Sequence, residues 1–160
     1  MSYEVSRLDQ ESLLRFVADE TKTFGWSPDA VAFSVAPKDA NGVAGAVIAV
    51  GVFEDFTAPG RMAEFSFAMI PEHRMNRGII EAFAFIAFHP RILNLDILWA
   101  KCRIDNPVSQ RALLAIGAEF QYRKPSSAAD GSDVVVMRMT RNPSAWPAAR
   151  ASDATNREEG

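Results

Sequence analysis

The stretch Asp105-Asn106-Pro107-Val108-Ser109-Gln110-Arg111-Ala112-Leu113-Leu114-Ala115-Ile116-Gly117-Ala118-Glu119-Phe120 decides the fold. It predicts a helix entered from one strand and left into another. Asp105 or Asn106 offers a side-chain oxygen to the orphan amides at the helix start, and Pro107 suits the first turn because it has no amide to lose. Gly117 supplies the left-handed stop. Upstream, residues 97–104 are apolar at every second position from Leu98, the pattern of a half-buried strand.

Outward from that stretch the pattern alternates between periods of two and of 3.6. Residues 2–8 form a short strand, and residues 10–21 an amphipathic helix with Leu13, Leu14, Val17 and Ala18 on one face. Residues 30–36 and 43–53 make a hairpin around a turn at 37–42. Gly45 and Gly51 either weaken its second strand or mark close backbone approach. Residues 54–60 are expected as a loop. Residues 61–70 form a strand of period two, with Ala63, Phe65, Phe67 and Met69 on one face and Glu64, Ser66 and Ala68 on the other. A polar turn at 72–78 enters a helix over 78–88 that is apolar nearly all round, as a helix buried between layers would be. Residues 120–123 and 134–139 are the last two strands. The order predicts an α+β fold with a βαβ unit at 61–104 and a right-handed crossover.

At 160 residues the chain makes one domain, 1–142, followed by a tail at 143–160 that loses apolar periodicity apart from Trp146 and reads as disordered. No apolar run is long enough to span a bilayer, and the N-terminus lacks the features of a signal peptide. The single cysteine, Cys102, excludes an internal disulfide framework and fits a reducing cytoplasm; it reads as a small apolar core residue rather than a nucleophile. Two histidines and one cysteine far from ligand spacing give no structural metal site. The net charge of −3 is uneven: residues 1–70 carry five basic and ten acidic side chains, residues 71–111 six and four. The middle segment either receives an anionic ligand or is an ordinary fluctuation of a solvated surface. Nucleic-acid binding is disfavoured, since the basic footprint is sparse.

The strand–Asn-x-x-Ser–helix–Gly order, with Asn106, Ser109 and Gly117 at matching offsets, resembles the late half of the GNAT superfamily of N-acetyltransferases. Ala118 stands where relatives carry Phe. The loop with Asp130-Gly131 and the last strand with Met137-Arg138-Met139 are similar to those of short GNAT-like proteins encoded by phages and prophages. The resemblance implies a GNAT-like mixed, mostly antiparallel sheet with two central parallel strands, 61–70 and 96–104, that splay apart, and helices on both faces. It also implies acetyl-coenzyme A as co-substrate and acetyl transfer to a primary amine, on a small molecule or a protein, in the cytoplasm of a bacterial or phage-infected cell. A homodimer is compatible with this class.

On that resemblance, Met69 and Ile70 at the end of the first splayed strand, His73, Arg74, Arg77 and Gly78 in the following turn, and Asn106 and Ser109 at the later helix start hold the cofactor. The turn departs from the usual pattern: Arg74 precedes Gly78 by four positions rather than three, and Ile80 replaces a small residue. Arg74 and Arg77 either bind phosphate in its place or sit on a solvated helix start. Glu64 is the candidate general base, its alternative being a plain solvent-facing strand residue. His73 is a second candidate base or a surface turn residue. Leu113 occupies the place of the tyrosine that many relatives use to protonate the leaving thiolate, so Tyr122 on the next strand is the candidate acid, unless it serves packing. Phe24, Trp26 and residues 54–60 are expected around the acceptor side. Two other readings remain: a non-catalytic binding or structural module on the same scaffold, and a phage nucleobase-modifying enzyme.

Overall fold

The computed structural model describes residues 2–23, 25–58, 61–128 and 130–141. In chain order these form β1 (Tyr3–Ser6), α1 (Gln10–Thr21), β2 (Val31–Pro37), β3 (Ala49–Thr57), β4 (Met62–Met69), α2 (Arg77–Phe88), β5 (Ile97–Arg103), α3 (Pro107–Ala115), β6 (Glu119–Lys124) and β7 (Val134–Thr140). The seven strands join one sheet in the order β1-β2-β3-β4-β5-β7-β6. Only β4 and β5 run parallel; every other neighbouring pair is antiparallel.

Strand alternation sorts the side chains into two layers. On one face, Phe53, Phe65 and Phe67 meet Phe83 of α2, with the Phe65 ring 4.7 Å from Phe53 and 5.2 Å from Phe83. Gly51 lies between these rings; a methyl group there would sit 2.6 Å from the Phe83 ring and 2.7 Å from that of Phe65. The glycine therefore marks close approach. On α2, Ile79, Ile80, Phe83 and Ile86 are all buried, as a helix apolar nearly all round requires. On the opposite face, α1 lays Val17 and the half-buried Leu13, Leu14 and Phe16 over Ala32, Val50, Val52 and Ala68. Gln10 fastens α1 to β2 by bonding both the amide and the carbonyl of Ala32, at 2.9 and 2.8 Å.

The α3 segment forms as its sequence predicts. Asn106 is the cap, its Oδ1 accepting from the Ser109 amide at 3.3 Å; Pro107 opens the helix and Gly117 closes the turn with φ 94°. The hairpin differs from expectation. Residues 43–48 lie outside the ladder apart from a bridge between Lys38 and Ala44, so Gly45 is not in a strand. The strand instead runs on to Thr57, through the segment expected as a loop. Pairing to β4 decides this: Phe53 faces Phe65 and Glu54 faces Glu64. A bulge follows between Glu54 and Thr57, with Asp55 at φ 53° and the Asp55 and Phe56 amides donating to the Asp29 carboxylate at 3.0 and 2.9 Å. Phe24, residues 59–60 and the tail at 143–160 with Trp146 lie outside the described residues. Among the described residues, no helix is long and apolar enough to cross a membrane.

Candidate active site

The parallel pairing of β4 and β5 covers only four positions, from Met62 opposite Ile97 to Phe65 opposite Ala100. Beyond Phe65 and Ala100 the two strands part. Each is held by its outer partner: residues 66–69 stay paired to β3, and residues 101–103 to β7. The gap is thus built into a rigid frame, and main-chain groups along it face no strand. Small side chains, Ser66 and Ala68 on one face and Cys102 on the other, keep it open. A cavity of about 340 Å³ occupies the gap, with Met69, Asn106 and Ser109 among its walls.

Both α2 and α3 begin just past the carboxyl ends of these strands, which points two helix N-termini toward the open end. The charge of the lining agrees with that polarity. Lys22, Lys101, Arg103 and Lys124 border the cavity against a single acidic side chain, Glu20. Arg103 is fixed in place by Asp105 and Asp130, at 3.1 and 2.8 Å. Its guanidinium holds the Asp130 carboxyl well below the usual carboxylate range. An anion is favoured in such a cleft.

Three residues named from sequence, Met69, Asn106 and Ser109, come together in the wall. Others do not. Ile70 is not part of the lining, and its amide and carbonyl are already bonded, to Ile48 at 2.9 Å and from the His73 amide at 3.1 Å. His73 and Arg74 are exposed in the turn before α2 and lie outside the cavity wall. Arg77 pairs with Glu81 at 2.7 Å, one helical turn on. Gly78 packs against Tyr3, whose ring would lie 3.0 Å from an added methyl. The Asn76 side chain accepts from the Ile79 amide at 3.1 Å, capping α2 from within the chain. Tyr122 is also outside the cleft, 51% exposed on the edge strand β6, because β7 is inserted between β5 and β6. Leu113, at the place of the family tyrosine, is fully buried. Trp26 donates its indole N–H to the Leu14 carbonyl at 3.0 Å and packs with the α1 layer.

Glu64, opposite Trp99, is the last but one position of the sealed part of the β4–β5 pair, and it accepts from Lys101 Nζ at 3.0 Å. Directly across β3 is Glu54, which sequence reasoning had placed in a loop. It is 7% exposed, and its Oε2 has no hydrogen-bond partner. Burial pushes its carboxyl above the ordinary range, partly offset by the Lys101 ammonium. Buried carboxyls shifted upward are what proton-transfer chemistry needs. Only the period-two spacing, extended four residues further, could have found it. Burial also pushes the Cys102 thiol up to about 12, so it stays protonated and serves as an apolar wall.

No protein-family model and no curated protein matches the chain. Solved structures do. A spermidine N-acetyltransferase from Vibrio cholerae, in complex with CoA and spermine, is 18% identical with a TM-score of 0.63 over 86% of this chain and 95% of that one. A chimera of the Vibrio cholerae enzyme and hSSAT is 19% identical, with a TM-score of 0.67 over 88% and 96%. A structure described as a probable acetyltransferase is 11% identical, with a TM-score of 0.63 over 87% and 93%. The chain has the GNAT fold.

Proposed function

We propose that the chain is an acetyl-coenzyme A-dependent N-acetyltransferase that moves an acetyl group to a primary amine. The observation that carries this reading is the unzipped end of β4 and β5, with its walled cavity. An extended pantetheine arm pairs with main-chain groups along such a gap as an added strand would. Asn106 and Ser109 border that arm, and the basic rim beside the α3 start receives the phosphates. The similar Vibrio cholerae structure, which holds CoA and spermine, supports the same reading.

In the reaction the amine nitrogen forms a bond to the thioester carbonyl carbon and the carbon–sulfur bond breaks. The amine proton passes to a carboxylate at the apex of the gap, where Glu64 and Glu54 lie. The thiolate leaves and takes its proton from water, since Leu113 has none to give and Tyr122 is remote. The acetylation takes place in the cytoplasm, and the glycine-poor turn before α2 aligns the chain with the phage and prophage type.

A non-catalytic module on the same scaffold is favoured by one observation, the buried Leu113 at the acid position. Thermal melting separates the two. Acetyl-coenzyme A at a hundred times its dissociation constant adds about 2.7 kcal/mol, or roughly 5–10 °C for a domain of this size. Acetylation of a primary-amine panel then falls at least about tenfold in Glu64→Gln and Asn106→Ala, the loss of one transition-state contact. The absence of a thermal shift at millimolar ligand overturns the transferase.

A further inference from the structure

The two faces of the gap are not alike. Phe67 and Cys102 line it on one side, and both are buried in the layer that carries Phe83 and α2. That side is closed by the core. The other side opens beside α1, which packs on β2, β3 and β4 and whose last turn, Glu20 to Thr23, makes one wall of the cavity. Facing it are the end of β6 and the loop after it, with Lys124, Ser127 and Ala128. In the transferase reading, an arm paired along the strands turns the two faces of its thioester carbonyl toward the two layers. One layer is sealed, so the amine approaches between the end of α1 and the end of β6.

Cations stand along that approach. Strand alternation puts Lys101 and Arg103 on the face away from Cys102, and the bond from Lys101 to Glu64 agrees. Arg103 and Lys124 flank the same residue, Val134, from opposite sides, which sets their backbones about 10 Å apart on one face. Two of the cations are engaged: Lys101 with Glu64 at 3.0 Å, and Arg103 with Asp105 and Asp130 at 3.1 and 2.8 Å. Arg103, beside the α3 start, goes with the cofactor. Lys22 and Lys124, on α1 and β6, are in no ion pair among the described residues. Two uncommitted ammonium groups on the walls of one cleft favour an anion between them. The hydroxyls of Thr23 and Ser127, in the same walls, suit its oxygens.

We propose that Lys22 and Lys124 hold the tail of the acceptor, and that the acceptor is a primary amine bearing an anionic group, a carboxylate or a phosphate, rather than a polyamine. This rests on the transferase reading and names its substrate class. The similar Vibrio cholerae structure holds spermine. A second ammonium on such a chain meets Lys22 and Lys124 here, and like charges set face to face select against it. The fold is shared while the charge of the acceptor is reversed.

The test is binding to the full chain in the presence of coenzyme A, read apart from turnover by proton line broadening of the probe. Of four probes, 5-aminopentanoate and 3-aminopropyl phosphate carry an anion, n-pentylamine lacks one, and 1,5-diaminopentane puts a cation in its place. At least one anionic probe should bind about tenfold or more tighter than pentylamine and diaminopentane, and the tighter of the two identifies the anion. Lys22→Gln and Lys124→Gln should each weaken that binding at least about fivefold. Both variants should keep the acetyl-coenzyme A thermal shift, which separates acceptor from cofactor. Equal or tighter binding of diaminopentane, no binding of either anionic probe, or anion binding unchanged in both variants overturns the proposal. So does a thermal shift lost in the variants alone, because the lysines then hold the cofactor's phosphates. Absence of the shift in the wild type sinks the transferase reading instead.

Discussion

Glu54 and Glu64 face each other across β3 and β4, yet they stand in different environments. Glu64 has the Lys101 ammonium; Glu54 has an oxygen without a partner and a carboxyl raised by burial. The sign of its effect on stability follows. Between the ordinary value of 4.5 and the raised folded value, the native state holds more proton than the unfolded chain. Stability therefore falls as pH rises through that window. Glu54→Gln removes the charge and leaves the Glu64–Lys101 pair, so its melting temperature at pH 7 should exceed that of the wild type, with the gain fading below about pH 4.5. Melts across pH 4–8 check this; a lower melting temperature at pH 7 would mean that the carboxylate is satisfied after all. Retaining a costly charge is what a functional position does. Glu64 was legible because a lone charge broke a clean period-two strand. Glu54 was not, because the residues after it, Asp55, Thr57, Pro59 and Gly60, carry loop chemistry.

Elements differ in how much their own residues decide. The α3 start is local: Asn106, Pro107 and Gly117 act within a few positions of one another, so cap, first turn and stop were all readable. The bounds of β3 are set by its partners. Residues 43–48 have as much strand character as 54–57, but only the latter find a ladder, against β4. Gly51 pins that register, since its missing side chain admits the Phe65 and Phe83 rings. Gly51→Ala forces those rings apart and should cost about 1–3 kcal/mol by overpacking. Denaturant unfolding with unchanged slope is the measurement, and a neutral result would show that the aromatic layer has slack. The turn before α2 shows the reverse case. Its arginines read by type as phosphate ligands or as a solvated helix start; Arg77 pairs with Glu81, and the Ile79 amide is capped by Asn76.

At the scale of the whole molecule, the sheet is two antiparallel blocks joined by a short parallel seam. The seam is four residue pairs long, and the strands beyond it are held apart by their outer neighbours. Amides facing the gap have no strand to protect them, so hydrogen exchange should be fast at the gap-facing amides among residues 66–69 and 101–103 in the free chain, and slow at those that bond to β3 and β7. A hundredfold excess of acetyl-coenzyme A over its dissociation constant should slow exchange there by up to about a hundredfold, with little change in β1 or β6. Protection confined to the sheet edges would place the ligand elsewhere.

The amino-acid sequence by itself determined the order of elements, the caps of α3 and the faces of β4, because each rests on spacing within one segment; the GNAT-like architecture came from a resemblance to that superfamily. Only the tertiary structure decided which charges share the cleft. Lys22, Lys101, Arg103 and Lys124 come from three separate elements or their edges, and Glu54 meets Glu64 through strand pairing alone. Tyr122 is kept away by the insertion of β7. Spacing along a chain specifies local geometry; proximity between distant residues is set by which strands pair, and that is decided by burial over the whole core.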